Sequence, residues 1–421
     1  MVNKSLWQRW INSLTTPALL ALAPAFILAA MSGQRAQAQT YTVLYTFGGG
    51  RDGGWPYSGV IRDESGNLYG TTDVRGKVHA CGLFHGCGLV YKLDPSGKET
   101  VLHTFKGDSD GRQPEWGNLF RDPAGNLWGT TVYGGVQGEI GLGVVYKLSA
   151  SGKETILHRF AGGPDDGEEP LNGLIRDADG TFYGTTAAGG SGLDGECGTV
   201  FKMNKSGKVT LLHSFVNTDG CQPTGDLVMD AKGDMYGMTS VGGAGYGTVF
   251  KITKKGKVTT LHIFTAEPDG AFPLGSLTID NAGNLYGTTP DGGDPNCTTV
   301  QQGCGIVFKI DAHGKEHILH SFLNVDGSLP YAGVVLDTKG NLYGSTTAGS
   351  TYNWGTLFKL NKQGKLTTLH DFTGGTDGAF PFASLRLDKD GSFYGTTYLG
   401  GLADGCDNNQ GCGVVFKLTL K

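Results

Sequence analysis

NLFRDPAGNLWGTTVYGGVQGEIGLGVVYKLSASGKETILHRF, residues 118–160, decides the fold. It holds four short runs: NLFRD (118–122), NLWGTT (126–131), GVVYKL (143–148) and ETILHRF (154–160). In each, aromatic and β-branched residues alternate with small or polar ones, which is the pattern of a half-buried strand. We label these strands A to D. DPAGN joins A to B, with Gly125 placed to take a left-handed turn conformation, and SASGKE joins C to D around Gly152. The B–C connection is longer and Gly-rich. After D the chain runs into a loop that reads Asp-Gly-x-x-Pro.

The same unit recurs along the whole chain. The aromatic of LYGTT recurs at Tyr69, Trp128, Tyr183, Tyr236, Tyr286, Tyr343 and Tyr394, and that of VFK at Tyr91, Tyr146, Phe201, Phe250, Phe308, Phe358 and Phe416. The Phe of LHSF recurs at Phe47, Phe105, Phe160, Phe215, Phe264, Phe322 and Phe372, so successive units are about 50–59 residues apart. A radially repeated four-stranded meander at this period is a β-propeller blade. The chain therefore reads as all-β: one domain, residues 39–421, forming a seven-bladed β-propeller of four-stranded antiparallel blades. It starts with a lone D strand (TVLYTF, 42–47) and ends with A, B and C of the last unit, so the N-terminal strand is expected to complete the last blade and close the ring.

Composition agrees. Gly and Pro supply 87 of 421 residues, which disfavours helices, and the glycines lack the every-third spacing of collagen. With 38% hydrophobic and only 17% charged residues the chain is not disordered. Residues 1–38 read as a secretory signal peptide: Lys4 and Arg9, an apolar run from Pro17 to Met31, then the small-x-small site Ala36-Gln37-Ala38. That run is short of the ~20 residues of a membrane span. Cleavage would remove three basic residues and no acid, taking the net charge from −5 to −8. This sign argues against a nucleic-acid partner. We expect a secreted, periplasmic or extracellular protein, monomeric, with no membrane insertion after cleavage.

All eight cysteines lie in the exported part, an even number that suggests disulfides. Cys81/Cys87, Cys297/Cys304 and Cys406/Cys412 are close pairs in equivalent loops, which leaves Cys197 and Cys221 for each other on the same loop face. Zinc is the competing reading, but the Cys-x5-Cys and Cys-x6-Cys spacings do not suit it. We expect no metal and no cofactor.

The repeated NLYGTT, GTVFK, TLHSF and DGxxP elements resemble the GloVer-type (Gloeo/Verruco) tandem-repeat family of exported bacterial proteins, over the whole mature chain. The resemblance implies export and a propeller-like array, and brings no activity or catalytic set. With no anchor-like segment before Lys421, a surface anchor is not expected.

The seven copies act as an internal control, because a residue present in every unit is architectural. His103, His158, His213, His262, His320 and His370 share one D-strand position, with Tyr45 in the remaining copy, and so read as packing and hydrogen-bonding residues. Asp52, Asp110, Asp166, Asp219, Asp269, Asp326 and Asp377 open the Asp-Gly-x-x-Pro loops and read as turn formers, not as a calcium ring.

Residues that break the repeat carry the functional signal. The x-x positions hold Gly54-Trp55, Arg112-Gln113, Glu168-Glu169, Cys221-Gln222, Ala271-Phe272, Ser328-Leu329 and Ala379-Phe380. At the mouth of strand A stand Tyr57, Trp116, Leu171, Thr224, Leu274, Tyr331 and Phe382, and unit two has one extra residue that sets Glu115 beside Trp116. Tyr352 and Trp354 lie in the sixth B–C loop. Trp55, Tyr57, Arg112, Glu115, Trp116, Glu168, Glu169 and Trp354 are the ligand-binding candidates, with a cluster around Trp55 and Trp116 foremost. Exposed aromatics on a rigid loop face suit stacking on a glycan or binding of a protein; the alternative is that they plug the loops onto the blades. For an enzyme, Glu115, Glu168, Glu169, Glu196 and Glu267 are the available carboxylates, with His79, His85, Arg75 and Arg112 beside them. No catalytic set is identified. The leading expectation is an extracellular binding scaffold; the alternatives are a carbohydrate-active enzyme on the same face and a purely structural envelope protein.

Overall fold

The computed structural model describes residues 39–73, 81, 86–107, 109–136, 141–192, 197–297, 303–401, 406 and 410–420. It has seven four-stranded antiparallel sheets, each in the order A-B-C-D, and no helix among the described residues. In the first blade the strands are Ile61–Arg62, Leu68–Thr72, Leu89–Leu93 and Glu99–Thr104. Gln39–Thr46 pairs antiparallel with Val414–Leu420 and becomes strand D of the seventh blade, whose A and B strands are Arg386–Leu387 and Ser392–Thr397. The ring is closed by its own termini, as the sequence led us to expect.

The repeated residues build each blade in the same way. The strand-C aromatic lies across the Gly of LYGTT: a Cβ on Gly70 would stand 2.5 Å from the Tyr91 hydroxyl oxygen. Tyr91 and its equivalents Tyr146, Phe201, Phe250, Phe308 and Phe358 are fully buried. The Phe that ends strand D sets its edge against the strand-C aromatic of the next blade, as with Phe105 and Tyr146 at 5.2 Å. At the A–B turn, Asp122 accepts from the backbone and side chain of Asn126 and from the Trp128 indole at 2.8–3.2 Å. The Asp–Tyr bond recurs at Asp63, Asp177, Asp230, Asp280 and Asp337.

The loop face is stitched at one corner per blade. The second x of Asp-Gly-x-x-Pro is left-handed in all seven copies, with φ of 53–56° at Trp55, Gln113, Glu169, Gln222, Phe272, Leu329 and Phe380. Each donates its N–H to the B–C loop of the preceding blade, for instance Gln113 to the Cys87 carbonyl at 3.0 Å. Non-Gly residues hold such a conformation only where the surroundings over-determine it. The loop Asp, in turn, binds the D-strand histidine: the His–Asp distance is 2.9–3.0 Å at His158, His213, His262, His320 and His370, and Tyr45 replaces His on Asp52 at 3.1 Å.

Disulfides join Cys81–Cys87, Cys197–Cys221, Cys297–Cys304 and Cys406–Cys412, and no described cysteine is free. The Cys197–Cys221 bond ties the B–C loop of blade three to the start of blade four. No described helix is long and apolar enough to cross a membrane.

Candidate functional site: an aromatic pocket on the ring axis

One residue per blade, directly after the loop Pro in six blades and two positions after it in blade two, points to the axis. Tyr57, Trp116, Leu171, Thr224, Leu274, Tyr331 and Phe382 all line a single pocket there. Its cavity volume is about 50 Å³, well below the about 300–1,000 Å³ of enclosed small-molecule sites, so it is a shallow open cup that meets one face of a ligand and does not enclose it. The rim is lopsided. Blades six, seven, one and two supply an aromatic arc in which Tyr57 stacks on Trp116 at 4.8 Å and Phe382 meets Tyr57 at 5.6 Å and Tyr331 at 5.3 Å. Blades three to five supply Leu171, Thr224 and Leu274. All seven rim side chains are partly exposed.

Strands A approach so closely below the rim that the channel is floored. A Cβ on Gly275 would overlap the backbone N of Gly333, and one on Gly333 would overlap the Ser276 carbonyl oxygen. Asn118 Nδ2 donates to Asp226 Oδ2 at 2.7 Å across the intervening blade, and the Asp226 and Gly333 N–H groups donate to Ser276 and Ser384 hydroxyls at 2.9 and 3.1 Å. Among the described residues no charged side chain lines the pocket, and Asp226 lies beneath its Asn118 lining.

The extra residue of blade two shapes the arc. Gly117 N–H donates back to the Glu115 carbonyl, and Trp116 takes φ 49°. This tight bulge turns the Trp116 ring inward while its indole N–H donates to Glu115 Oε2 at 3.0 Å and Gln113 Nε2 donates to Oε1 at 2.9 Å. Glu115 is also hydrogen-bonded to Asp73, at the end of strand B in blade one. Burial first, then the charge of Asp73, raises Glu115 well above the usual carboxyl range. Burial pushes Asp73 up to about 6, against hydrogen bonds from Glu115 and Gln113. The pair thus keeps a proton, with Glu115 donating and Asp73 accepting. Tyr57 and Tyr398 are hydrogen-bonded and stacked at 4.5 Å beside it, and both phenols are pushed up by burial.

The sign of the pH dependence follows. A carboxyl raised in the folded state contributes stability that is fully present below its unfolded value near 4 and is lost as pH rises through the folded value. Asp73, Glu99 and Asp291 at about 6–7 and Glu316 at about 8 all act in this sense. Asp122, Asp280 and Asp337 act oppositely, because hydrogen bonds outweigh their burial and hold them low. The melting temperature is therefore expected to peak near pH 5 and fall toward pH 8. Glu115→Gln removes this titrating group, and its NH2 cannot accept from Gln113 or Trp116 as the carboxyl oxygens do; the variant's melting temperature should therefore fall less than the native protein's between pH 5 and pH 8. Parallel melting curves for the two proteins across that range would refute the proton-sharing pair.

The candidates read from sequence divide cleanly. Tyr57 and Trp116 line the pocket, and Glu115 sits directly behind them. Trp55, adjacent to the Pro but at the left-handed corner, lies outside the rim and backs Tyr398 at 5.5 Å. Arg112 stacks over Tyr133 at 5.3 Å, and Tyr133 hydrogen-bonds Glu169, a second polar group outside the pocket. The Glu168 carboxylate faces Gly162 in its own loop. Trp354 packs on Phe380 at 5.0 Å and covers Gly374, so it plugs its loop. Glu267 is exposed on blade five. Arg75, His79, His85 and Glu196 lie outside the described residues. Asp73 and Tyr398 were missed, although the same criterion finds them: their position holds Val132, Ala187, Ser240, Pro290 and Thr347 elsewhere.

The model of the Gloeobacter/Verrucomicrobia repeat matches residues 78–301 and 296–421. No curated protein matches the chain. Among solved structures, similarity extends to the extracellular domain of a protein described as a one-component system from B. thetaiotaomicron, at 10% identity and TM-score 0.52, covering 86% of this chain and 38% of that one. A gluconolactonase from Xanthomonas campestris is similar at 14% identity and TM-score 0.48, over 90% of this chain and 89% of that one. An aldose sugar dehydrogenase from Streptomyces coelicolor, solved with PQQ bound, gives 11% and 0.43 over 91% and 99%. These likenesses are of fold alone.

Proposed function

We propose, for a chain that belongs to the Gloeobacter/Verrucomicrobia repeat family, that the axial pocket binds one residue of a neutral glycan outside the cytoplasm, without turnover. The observation that carries this reading is the pocket lining: an aromatic arc facing Leu171, Thr224 and Leu274, over a floor of Asn, Ser and Gly, with no charged side chain among the described lining residues. Aromatic faces pack on the C–H faces of sugar rings, while hydroxyl and amide groups meet the ring's polar edge. An anionic saccharide would enter this low-dielectric site without a counter-charge, which is costly. Export into an oxidising compartment belongs to the same proposal; four disulfides and the leader-like residues 1–38 support it.

The enzyme reading is weaker on geometry. Glycosidases hold two carboxyls about 5–10 Å apart, whereas Asp73 and Glu115 bond to each other, and Glu115 is further occupied by Gln113 and Trp116. The test is a melting-temperature screen against neutral and uronic-acid polysaccharides, with product analysis of every sample. Neutral glycans should raise the melting temperature, acidic ones should not, and no products should form. Products, or a preference for acidic chains, would overturn the proposal.

A further inference from the structure

One of the six loop-face His–Asp pairs departs from the rest. Five of the six histidines lie 2.9–3.0 Å from their aspartate. His103 Nε2 stands 3.5 Å from Asp110 Oδ2, beyond bonding geometry, and also 3.5 Å from Glu154 Oε1 of the neighbouring blade. All three atoms are buried and make no hydrogen bond, although Asp110 as a whole is only 8% exposed. Its other oxygen, Oδ1, accepts from the Lys106 N–H at 3.0 Å, as the loop requires.

Three unpartnered buried polar atoms facing one another are costly unless something sits among them. One ion satisfies all three. Zinc binds histidine nitrogen and carboxylate oxygen at about 2.0–2.2 Å in tetrahedral geometry, which sets ligand atoms about 3.3–3.6 Å apart. The two measured separations match, and the three ligand atoms lie within 4.8 Å of one another. The nitrogen ligand and the small ligand number disfavour Ca²⁺, which takes 6–8 oxygens, and Mg²⁺, which prefers octahedral oxygen. Side-chain exposures of 12–15% leave one edge open for entry and for a water as fourth ligand.

We propose that His103, Asp110 and Glu154 form a binding site for one zinc-type divalent transition-metal ion, clamping blade one to blade two. The two related clusters show what the site is not. At His262–Asp269–Glu316 the His–Asp bond is closed at 2.9 Å and Glu316 Oε1, though buried without a partner, stands back at 4.0 Å, so the imidazole nitrogen is already taken by Asp269. At Asp52 and Glu99 a tyrosine, Tyr45, replaces the histidine. The ion would also fix residues 109–114, which run directly into Glu115 and Trp116.

The experiment is zinc titration of EDTA-dialysed full chain by calorimetry, with melting temperature read in parallel, for the native protein, His103→Ala, Glu154→Gln and His262→Ala. One zinc per chain should bind the native and His262→Ala proteins and raise their melting temperatures. His103→Ala and Glu154→Gln should bind at least about a hundredfold more weakly and lose the zinc-dependent rise. Matching melting temperatures in EDTA show that Glu154→Gln is folded, so its loss is one of binding. No zinc binding by the native protein, or unchanged affinity in His103→Ala and Glu154→Gln, would overturn the site.

Discussion

A chain that begins at residue 48 is expected not to fold. Residues 39–47 supply the whole D strand of the seventh blade, and their partner Val414–Leu420 has no other neighbour on that side. Phe47 is fully buried in the core between the seventh and first blades, where Leu44 and Tyr45 also pack. Tyr41 and Val43 cover the Phe416 cluster. Burying one such side chain contributes about 1.5–3 kcal/mol, so losing the strand removes an amount comparable to a domain's total stability of about 5–15 kcal/mol. What is left is a long apolar edge, which invites edge-to-edge association. The truncated protein should aggregate or melt without a cooperative transition, and adding the synthetic peptide 39–47 should partly restore folding. A truncated monomer with a native melting curve would contradict the closure.

The second large effect sits at the axis. Gly333→Ala introduces a methyl that overlaps the Ser276 carbonyl oxygen, and the overlapped group is backbone, which cannot rotate away. Strands A of blades five and six must separate, and the Gly333 hydrogen bond to Ser384 goes with them. Overpacking of this kind costs about 1–3 kcal/mol, and a lost buried hydrogen bond adds roughly 1 kcal/mol. The variant should melt well below the native protein and lose the pocket floor. Gly50→Ala, whose added methyl meets only Asp52 at 3.7 Å, is the matched control and should melt like the native protein. Equal melting of Gly333→Ala and Gly50→Ala would show that the axis is looser than described.

The fold was legible because each blade writes the same instructions: Gly under the strand-C aromatic, Asp at the A–B turn, His facing the loop Asp. Seven copies leave little room for a misread period. The site was legible only in part. The seven residues at the mouth of strand A were visible as breaks in the repeat, and so was the insertion that carries Glu115. The sequence did not reveal that Trp55 and Tyr57, two residues apart, part company at a left-handed corner and a Pro. Strand alternation would put both on one face, and the φ of 56° at Trp55 cancels that rule. Asp73 and Tyr398 were hidden because they directly follow GTT, where strand B was taken to end. The opening of the His103 pair by 0.5 Å or so leaves no mark in the sequence at all.

The central claim is that recognition takes place at the axial aromatic arc and not on the outer loops. The most direct measurement is calorimetric titration of a glycan that raises the melting temperature into the native protein, Trp116→Ala and Trp354→Ala. Trp116 lines the pocket, whereas Trp354 packs beneath an outer loop. A stacked aromatic is worth about 0.5–1.5 kcal/mol beyond the area it buries, so Trp116→Ala should weaken binding about two- to tenfold while Trp354→Ala binds as the native protein does. Binding that survives Trp116→Ala and fails in Trp354→Ala would contradict the account.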